Sequence, residues 1–398
     1  MRAAEVRLVI RSQRLRIAVL AFSEIRRDTR VLRTIAALAD MGHEVIAIGY
    51  GDAPVRHTSD FVQLPEPASG WRNRVAMALT RAPSNFAPRS ADFLHNILAH
   101  HRAARDALLT LRPNVVHAND WPALPAAAFA KATIGCKVIY DSHEFATEEH
   151  AHSLVWRFLG QNYVRAIEGQ HIQAADRIIT VSAGISDALA ALYRLPVPPL
   201  VVRNVPAYEE HPFRPVGHPR RLLFHGLLKP DRGIEELIKA TRDLEDHVLV
   251  LRGEGKAAYV DHLLALVESI GVRDRVSIVP AVSPGEVVAQ AAKSDIGIFA
   301  APIRSAHNQF ALPNKVFEYL MAGLAVVVMD GNDLASVIRD YHCGWVVDMR
   351  QPRALQTCLS KATAAEVEAR KRNALQAART LNWQEEQSKL AHAYQNLT

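Results

Sequence analysis

The chain has 398 residues, 49% apolar and 22% charged, with 19 glycines, 21 prolines and no low-complexity tract. At roughly 150 residues per domain this predicts two to three domains with cores of their own, and it excludes small stapled scaffolds, collagen-like repeats and wholesale disorder. The three cysteines, Cys136, Cys343 and Cys358, show no C-x-x-C spacing, against a disulfide framework, structural zinc or an iron–sulfur cluster, and the net charge of +6 (47 minus 41) favours anionic partners without choosing among them.

Residues 1–14 read as a basic tail, because Arg2, Arg7, Arg11 and Arg14 flank an apolar core, Leu8 to Ile10, too short for a secretory signal. No apolar run approaches the ~18 residues needed to cross a bilayer, so a soluble, cytoplasmic chain is expected. Leu15 to Ala21 predicts a first buried strand, followed by a helix with Val31, Ile35 and Leu38 on one face and Gly42 at its end. Glu44 to Gly49 completes a β-α-β unit. Strands are expected at Val115–Ala118, Lys137–Tyr140 and Arg177–Val181, the last preceded by a helix from about Trp156 to Ala175. Seven prolines between Pro196 and Pro219 then read as a seam. A second series follows, with strands at Arg221–His225, His247–Arg252, Arg275–Val279, Ile296–Ala300, Ala325–Met329 and Gly344–Val347. Such alternation implies parallel sheets covered on both faces. The expected architecture is α/β, with two Rossmann-like domains, 15–205 and 206–380, facing across a cleft and a helix in 381–398 crossing back toward the first.

In open parallel sheets ligands sit beyond the carboxyl ends of the strands, so the loops there carry the candidates. After Arg221–His225 come Gly226, Lys229, Arg232 and Gly233 and then a helix, a combination of glycines, free N–H groups and cations suited to a diphosphate or, equally, to a solvated loop. Gly253-Glu-Gly255-Lys-Ala-Ala258 matches a dinucleotide fingerprint formally. It follows the second strand of its half, however, and lacks a ribose-binding acid after the next strand, so a tight structural turn is the favoured reading. The most specific stretch runs from Phe310 to Gly323 and includes Pro313, Asn314, Lys315 and Glu318. It predicts a short helix aimed at the cleft, in which Glu318 meets ligand hydroxyls or pairs with Lys315. In the first half, Val115-Val-His117-Ala-Asn119-Asp120 and Tyr140-Asp141-Ser-His143-Glu144 set ionisable groups after neighbouring strands, either as helix caps or as functional groups facing the cleft. His100 with His101, and His150 with His152, read as solvated charge rather than metal ligands.

These stretches resemble glycosyltransferase family 4, the retaining sugar transferases of the GT-B fold. The resemblance spans nearly the whole chain: Asp28-Thr-Arg30-Val31, Gly42-His43-Glu44, His117 to Asp120, Tyr140 to Glu144, Ala175 to Ser182, His225 to Gly233, and Leu312 to Gly323. It implies a nucleotide-diphosphate sugar donor held by the C-terminal half, a glycan or lipid-linked acceptor held by the N-terminal half, no obligatory metal and no nucleic-acid partner. It also implies that Glu318 binds the donor ribose, that Arg232, with Gly226 beneath, meets the diphosphate, and that Lys229, Asn314 and Lys315 belong to the donor site. His117, Asp120, His143 and Glu144 then become reaction-centre or acceptor groups, with His117 expected nearest the transferred sugar. Two positions depart from the family pattern. Leu227 stands where an arginine is common, and the usual sugar-contacting glutamate falls on Phe310 or, on an alternative alignment, on Asn308.

Two other readings stand beside this one: a nucleotide-sugar epimerase on the same scaffold, and a catalytically weak sugar-nucleotide-binding subunit. Between Pro67 and Ala91, Arg72, Arg74, Arg81 and Arg89 alternate with Trp71, Met77, Leu79 and Phe86 without an acid. That composition suits peripheral contact with an anionic inner membrane face as well as it suits a solvated loop.

Overall fold

A computed structural model describes residues 14–53, 56–67, 70–351, 353–395 and 397. The basic tail through residue 13 lies outside them, as do the side chains of Trp71, Arg72, Asn73, Arg74 and Ala76.

Two wholly parallel sheets form. The first contains β1 (Arg16–Glu24), β2 (Glu44–Tyr50), β3 (Asp60–Gln63), β4 (Val115–Asn119), β5 (Lys137–Ser142), β6 (Arg177–Thr180) and β7 (Leu200–Val201) in the order β3-β2-β1-β4-β5-β6-β7. The second contains β8 (Arg220–His225), β9 (His247–Arg252), β10 (Val276–Val279), β11 (Ile296–Phe299), β12 (Ala325–Met329) and β13 (Gly344–Val347) in the order β10-β9-β8-β11-β12-β13. Helices cover both faces of each sheet, so central strands such as β4, buried at all five positions, read as apolar runs rather than alternations. Strand order reverses between β1 and β4 and again between β8 and β11, and at such switch points neighbouring loops diverge and leave a crevice.

Register decides which residues meet there. Asn119 of β4 lies opposite Asp141 of β5, so Asp120 and the run Ser142-His143-Glu144 leave the sheet side by side. The helix Thr29–Asp40 begins where the Asp28 carboxylate accepts from the Val31 N–H at 3.1 Å, and it buries Val31, Ile35 and Leu38. The chain returns at its end: helix Ala364–Ala378 packs on the second sheet through Ala374, Ala377 and Ala378, whereas helix Trp383–Gln395 packs Trp383, Leu390 and Tyr394 against Ile17, Val31 and Ile35 of the first.

Several elements differ from expectation. β3 and β7 are additional, and β7 lies inside the proline-rich stretch, where a two-residue pairing with β6 needs little pattern. The helix expected at 156–175 is interrupted. It runs Leu154–Trp156, passes through a π turn at Arg157–Gln161, and resumes over Asn162–His171. Pro313 caps the helix Asn314–Met321 rather than occupying its first turn, while Gly323, at φ +70°, supplies the left-handed turn after it.

Candidate active site

Loops from both sheets enclose a cavity of about 850 Å³. Arg30, Asp120, His143 and Glu144 line it from the first unit, and Lys229, Arg232, His307, Asn308 and Asn314 from the second.

On the second unit, the loop after β8 begins at Gly226, φ +128°, where a Cβ would come within 2.6 Å of the Lys315 ammonium. It ends at Gly233, φ +72°, where a Cβ would meet the Ala300 carbonyl oxygen at 2.6 Å. At Gly233 the neighbour is backbone, so a larger residue would be blocked; at Gly226 a side chain would displace the Lys315 ammonium and strain a positive-φ backbone. Lys315 stands 5.2 and 5.3 Å from the Phe224 and Phe299 ring centres. Burial, with repulsion from Arg232, lowers its pKa to about 8, and Glu318 only partly offsets this. Burial also lowers the Arg232 pKa. The neighbouring carboxylates are engaged elsewhere: Glu318 with His225 at 2.9 Å, Asp231 with Arg304 at 2.7 Å and Glu144 with His307 at 2.9 Å. Lys229, Arg232 and Lys315 thus form a cationic cluster without a salt bridge among the described residues, an arrangement that favours an incoming polyanion.

A second cavity of about 350 Å³ adjoins this loop, lined by Gly226, Arg252, Gly253, Glu254, Ala281 and Glu318. Gly253 is the turn that the dinucleotide-like motif suggested. A Cβ there would lie 1.8 Å from the Gly226 carbonyl oxygen, so the glycine lets two strand-end loops touch. The carboxylate of Glu318 reaches this side, where hydroxyl groups of a ligand could take its remaining acceptor sites. Its observed partner is His225 rather than Lys315.

On the first unit, buried Asp141 is the hub. Arg30 donates to both its oxygens at 3.0 Å and to the Val202 carbonyl at 2.6 Å. Burial alone would raise the Asp141 pKa, but Arg30 and then His143 hold it well below the usual carboxylate range. His143 presents Nδ1 to Asp120 at 3.3 Å and Nε2 to Asp141 at 3.1 Å. Burial opposes its charge, yet the two carboxylates outweigh burial and raise its pKa well above the imidazole value, so an imidazolium faces the cavity. Asp120, in left-handed backbone at φ +59°, also accepts from the His143 N–H at 2.9 Å. It therefore orients His143 rather than serving merely as a helix cap.

His117 does not project where the two units meet. It is fully buried, with Nδ1 at 2.7 Å from the Tyr394 hydroxyl and Nε2 at 3.4 Å from Asp141. A carboxylate only accepts, so Nε2 donates to Asp141 and Nδ1 accepts from Tyr394. Burial lowers its pKa and keeps it neutral. The reason lies in the pleat: position 117 is still inside β4, under the C-terminal helix, whereas His143 is past the end of β5. The sequence reading brought His117 forward, offered Asp141 as a helix cap or a cleft-facing group rather than a buried hub, and gave Arg30, His307 and Tyr394 no role of their own. Arg30 and Asp141 stood inside quoted motifs, but nothing local marks His307 or Tyr394. Phe310 lies away from the cavity, its ring 6.2 Å from Phe145 and against Gly184, while Asn308 is exposed on the cavity wall with Oδ1 near Ser305 and the Arg304 N–H.

Two facing Rossmann-like units with polar and cationic loops at their carboxyl edges define the class of GT-B glycosyltransferases. Within that class the chain belongs to family 4: residues 28–224 match the family described as "Glycosyl transferase 4-like domain" and residues 209–380 match "Glycosyl transferases group 1". Glycogen synthase of Mycobacterium tuberculosis (strain ATCC 25618 / H37Rv) is 29% identical over 243 residues, 55% of this chain and 55% of that protein, so the match spans about half the length of the curated relative. Among solved structures, sucrose-phosphate synthase from Thermosynechococcus elongatus superposes with a TM-score of 0.72 at 15% identity, covering 96% of this chain and 99% of that one. Anabaena HepE in complex with UDP and glucose gives 0.68 at 15%, covering 96% and 99%. Both likenesses concern the fold. Among the described residues no helix is long and apolar enough to cross a membrane.

Proposed function

We propose that the protein is a retaining glycosyltransferase that moves a sugar from a nucleotide-diphosphate sugar to a glycan or lipid-linked acceptor, in cell-surface polysaccharide or glycoconjugate synthesis at the inner face of the membrane. The observation that carries this reading is the cluster of Lys229, Arg232 and Lys315, without a salt bridge among the described residues, beside the loop whose Gly226 lines the Glu318 cavity and whose Lys229 and Arg232 line the larger cleft. A nucleoside fits the smaller cavity with its ribose hydroxyls on Glu318, and the diphosphate then lies over Gly226 among the cations. The sugar extends toward His143, whose two N–H groups are held by Asp120 and Asp141 so that the ring offers positive charge rather than a free donor, and Glu144 lies on the acceptor side. Asn308 and Asn314 line the wall along that path.

When the bond between the anomeric carbon and the diphosphate oxygen breaks, negative charge grows on the leaving phosphate, and prepositioned cations in a water-poor cleft stabilise it most at that moment. The acceptor oxygen bonds the anomeric carbon, and its hydroxyl proton passes to the departing diphosphate oxygen. The cations supply the role a metal would have, in keeping with the absence of any D-x-D triplet from the sequence, so no obligatory metal is proposed. The complex of HepE with UDP and glucose supports this class of donor by analogy of fold.

The test is a nucleotide-sugar panel with glycan and lipid-linked acceptors, with product stereochemistry read by NMR and metal chelator present throughout. Transfer with the donor's anomeric configuration preserved is expected. An inverted product would overturn the mechanism, isomerised donor without product would favour the epimerase, and donor binding without any turnover would favour a partner subunit.

A further inference from the structure

Twelve large apolar side chains are exposed among the described residues, and eight of them belong to two segments of the first unit. Val75, Leu79, Phe86, Phe93 and Ile97 lie on or beside the helices Gly70–Arg81 and Ser90–Asn96. Leu154, Val155 and Phe158 lie where the interrupted helix begins. The segments are far apart in sequence but joined in space: Asn85 Nδ2 donates to the Phe158 carbonyl at 2.7 Å, and Asn162 Nδ2 donates to Asn85 Oδ1 at 2.7 Å. Phe86 is 85% exposed and Leu154 77%, so these two side chains are largely uncovered by the described residues. An apolar concentration of this kind marks an interaction surface.

Charge narrows the partner. Arg89 and Arg157 are exposed on the same segments, and neither 67–91 nor 150–167 contains an aspartate or glutamate. Nearby Asp92 is held by His171 at 2.8 Å and by Asn96. A second copy meeting this face across a two-fold axis would set arginines against arginines. Headgroup phosphates above acyl chains satisfy both kinds of side chain at once. The face also adjoins the cleft, since His150 and His152, just before Leu154, line the large cavity.

We infer that this composite face docks on an anionic lipid bilayer, with the apolar side chains entering the interface and the arginines meeting lipid phosphates. The inference deepens the lipid-linked acceptor reading and rests on it only for its purpose, because vesicle binding is measured without donor or acceptor.

The experiment is co-sedimentation of the full chain with phosphatidylcholine vesicles, with and without phosphatidylglycerol, at low and high salt. Binding to the anionic vesicles is expected at low salt, weakened several-fold by high salt. Leu154→Ser with Phe158→Ser together should weaken it by about tenfold or more, and Arg157→Glu by about fivefold or more. Leu264→Ser, an exposed apolar site on the second unit, should leave it unchanged. Nucleoside-diphosphate binding by the same variants reports folding and keeps the two readings apart: a chain that binds vesicles but no nucleotide contradicts the transferase reading alone. Absence of sedimentation at low salt overturns the inference, as does binding indifferent to both the Leu154/Phe158 and the Arg157 changes. A dimer dissolved by these changes without vesicle binding assigns the face to a second copy instead.

Discussion

Protonation state distinguishes two histidines that the sequence sets at neighbouring strands. His143 faces a carboxylate from each ring nitrogen, whereas His117 faces one carboxylate and one hydroxyl in a dry interior. Their pKa values move in opposite directions for that reason. Histidine NMR titration should accordingly find one ring charged at neutral pH and one buried ring neutral; a His143 ring that loses its proton below about pH 6.5, the unperturbed value, would contradict the arrangement. Because the folded pKa of His143 is raised, its stabilising contribution is complete below that unperturbed value and is lost as pH rises through the folded one. For Asp141, lowered in the fold, the contribution is present above the ordinary carboxylate pKa and lost on acidification through the folded value. Lys315 gives a third signature. Its pKa of about 8 in the unliganded cleft means that an arriving diphosphate must be met by a lysine already losing its proton above that pH. Between about pH 7, where the terminal phosphate is largely ionised, and pH 8, nucleoside-diphosphate affinity should be nearly flat, and it should decline as pH rises through about 8. Lys315→Met should bind more weakly and lose that limb, and an unaltered pH profile in the variant would remove Lys315 from the site.

The elements show what was legible and what was not. β9, β12 and β13 match their expected bounds because each is a compact apolar run with punctuation on both sides. β3 and β7 escaped notice because four half-exposed residues and two residues among prolines carry almost no periodic signal. The helix bearing Lys315 and Glu318 and the loop bearing Gly226 and Arg232 could be read locally, since each is one continuous segment between a strand and a glycine. The support for the histidines could not: Tyr394 lies 277 positions from His117, and His307 meets Glu144 only once the units face each other. The C-terminal helix is therefore more than a cover. Leu390, 1% exposed in the first unit's core, should cost about 2–5 kcal/mol when truncated to alanine, read as a lowered denaturant midpoint. Tyr394→Phe should cost about 1–3 kcal/mol, because it leaves the buried His117 Nδ1 without its donor. A Leu390→Ala midpoint equal to the parent would show that the helix does not hold the fold.

At the scale of the whole molecule, the two units touch along the rim of the cleft. The Gly184 N–H donates to Asp333 at 2.8 Å, His307 meets Glu144 at 2.9 Å, and Phe310 fills the space that a side chain at position 184 would need. Phe310 thus serves the contact between units, and the cationic loop and His143 approach the cavity from opposite sides. The central claim is that this cavity holds a nucleoside diphosphate on the loop after β8. Isothermal titration of nucleoside diphosphates into the parent chain and Arg232→Ala tests it most directly, since Arg232 lines the cavity and has no salt bridge to lose among the described residues. Saturable binding to the parent, weakened in the variant by about 1.5–3 kcal/mol, the scale of a hydrogen bond to a charged group, is the expected result. No binding by the parent, or equal affinity in the two proteins, would contradict the account.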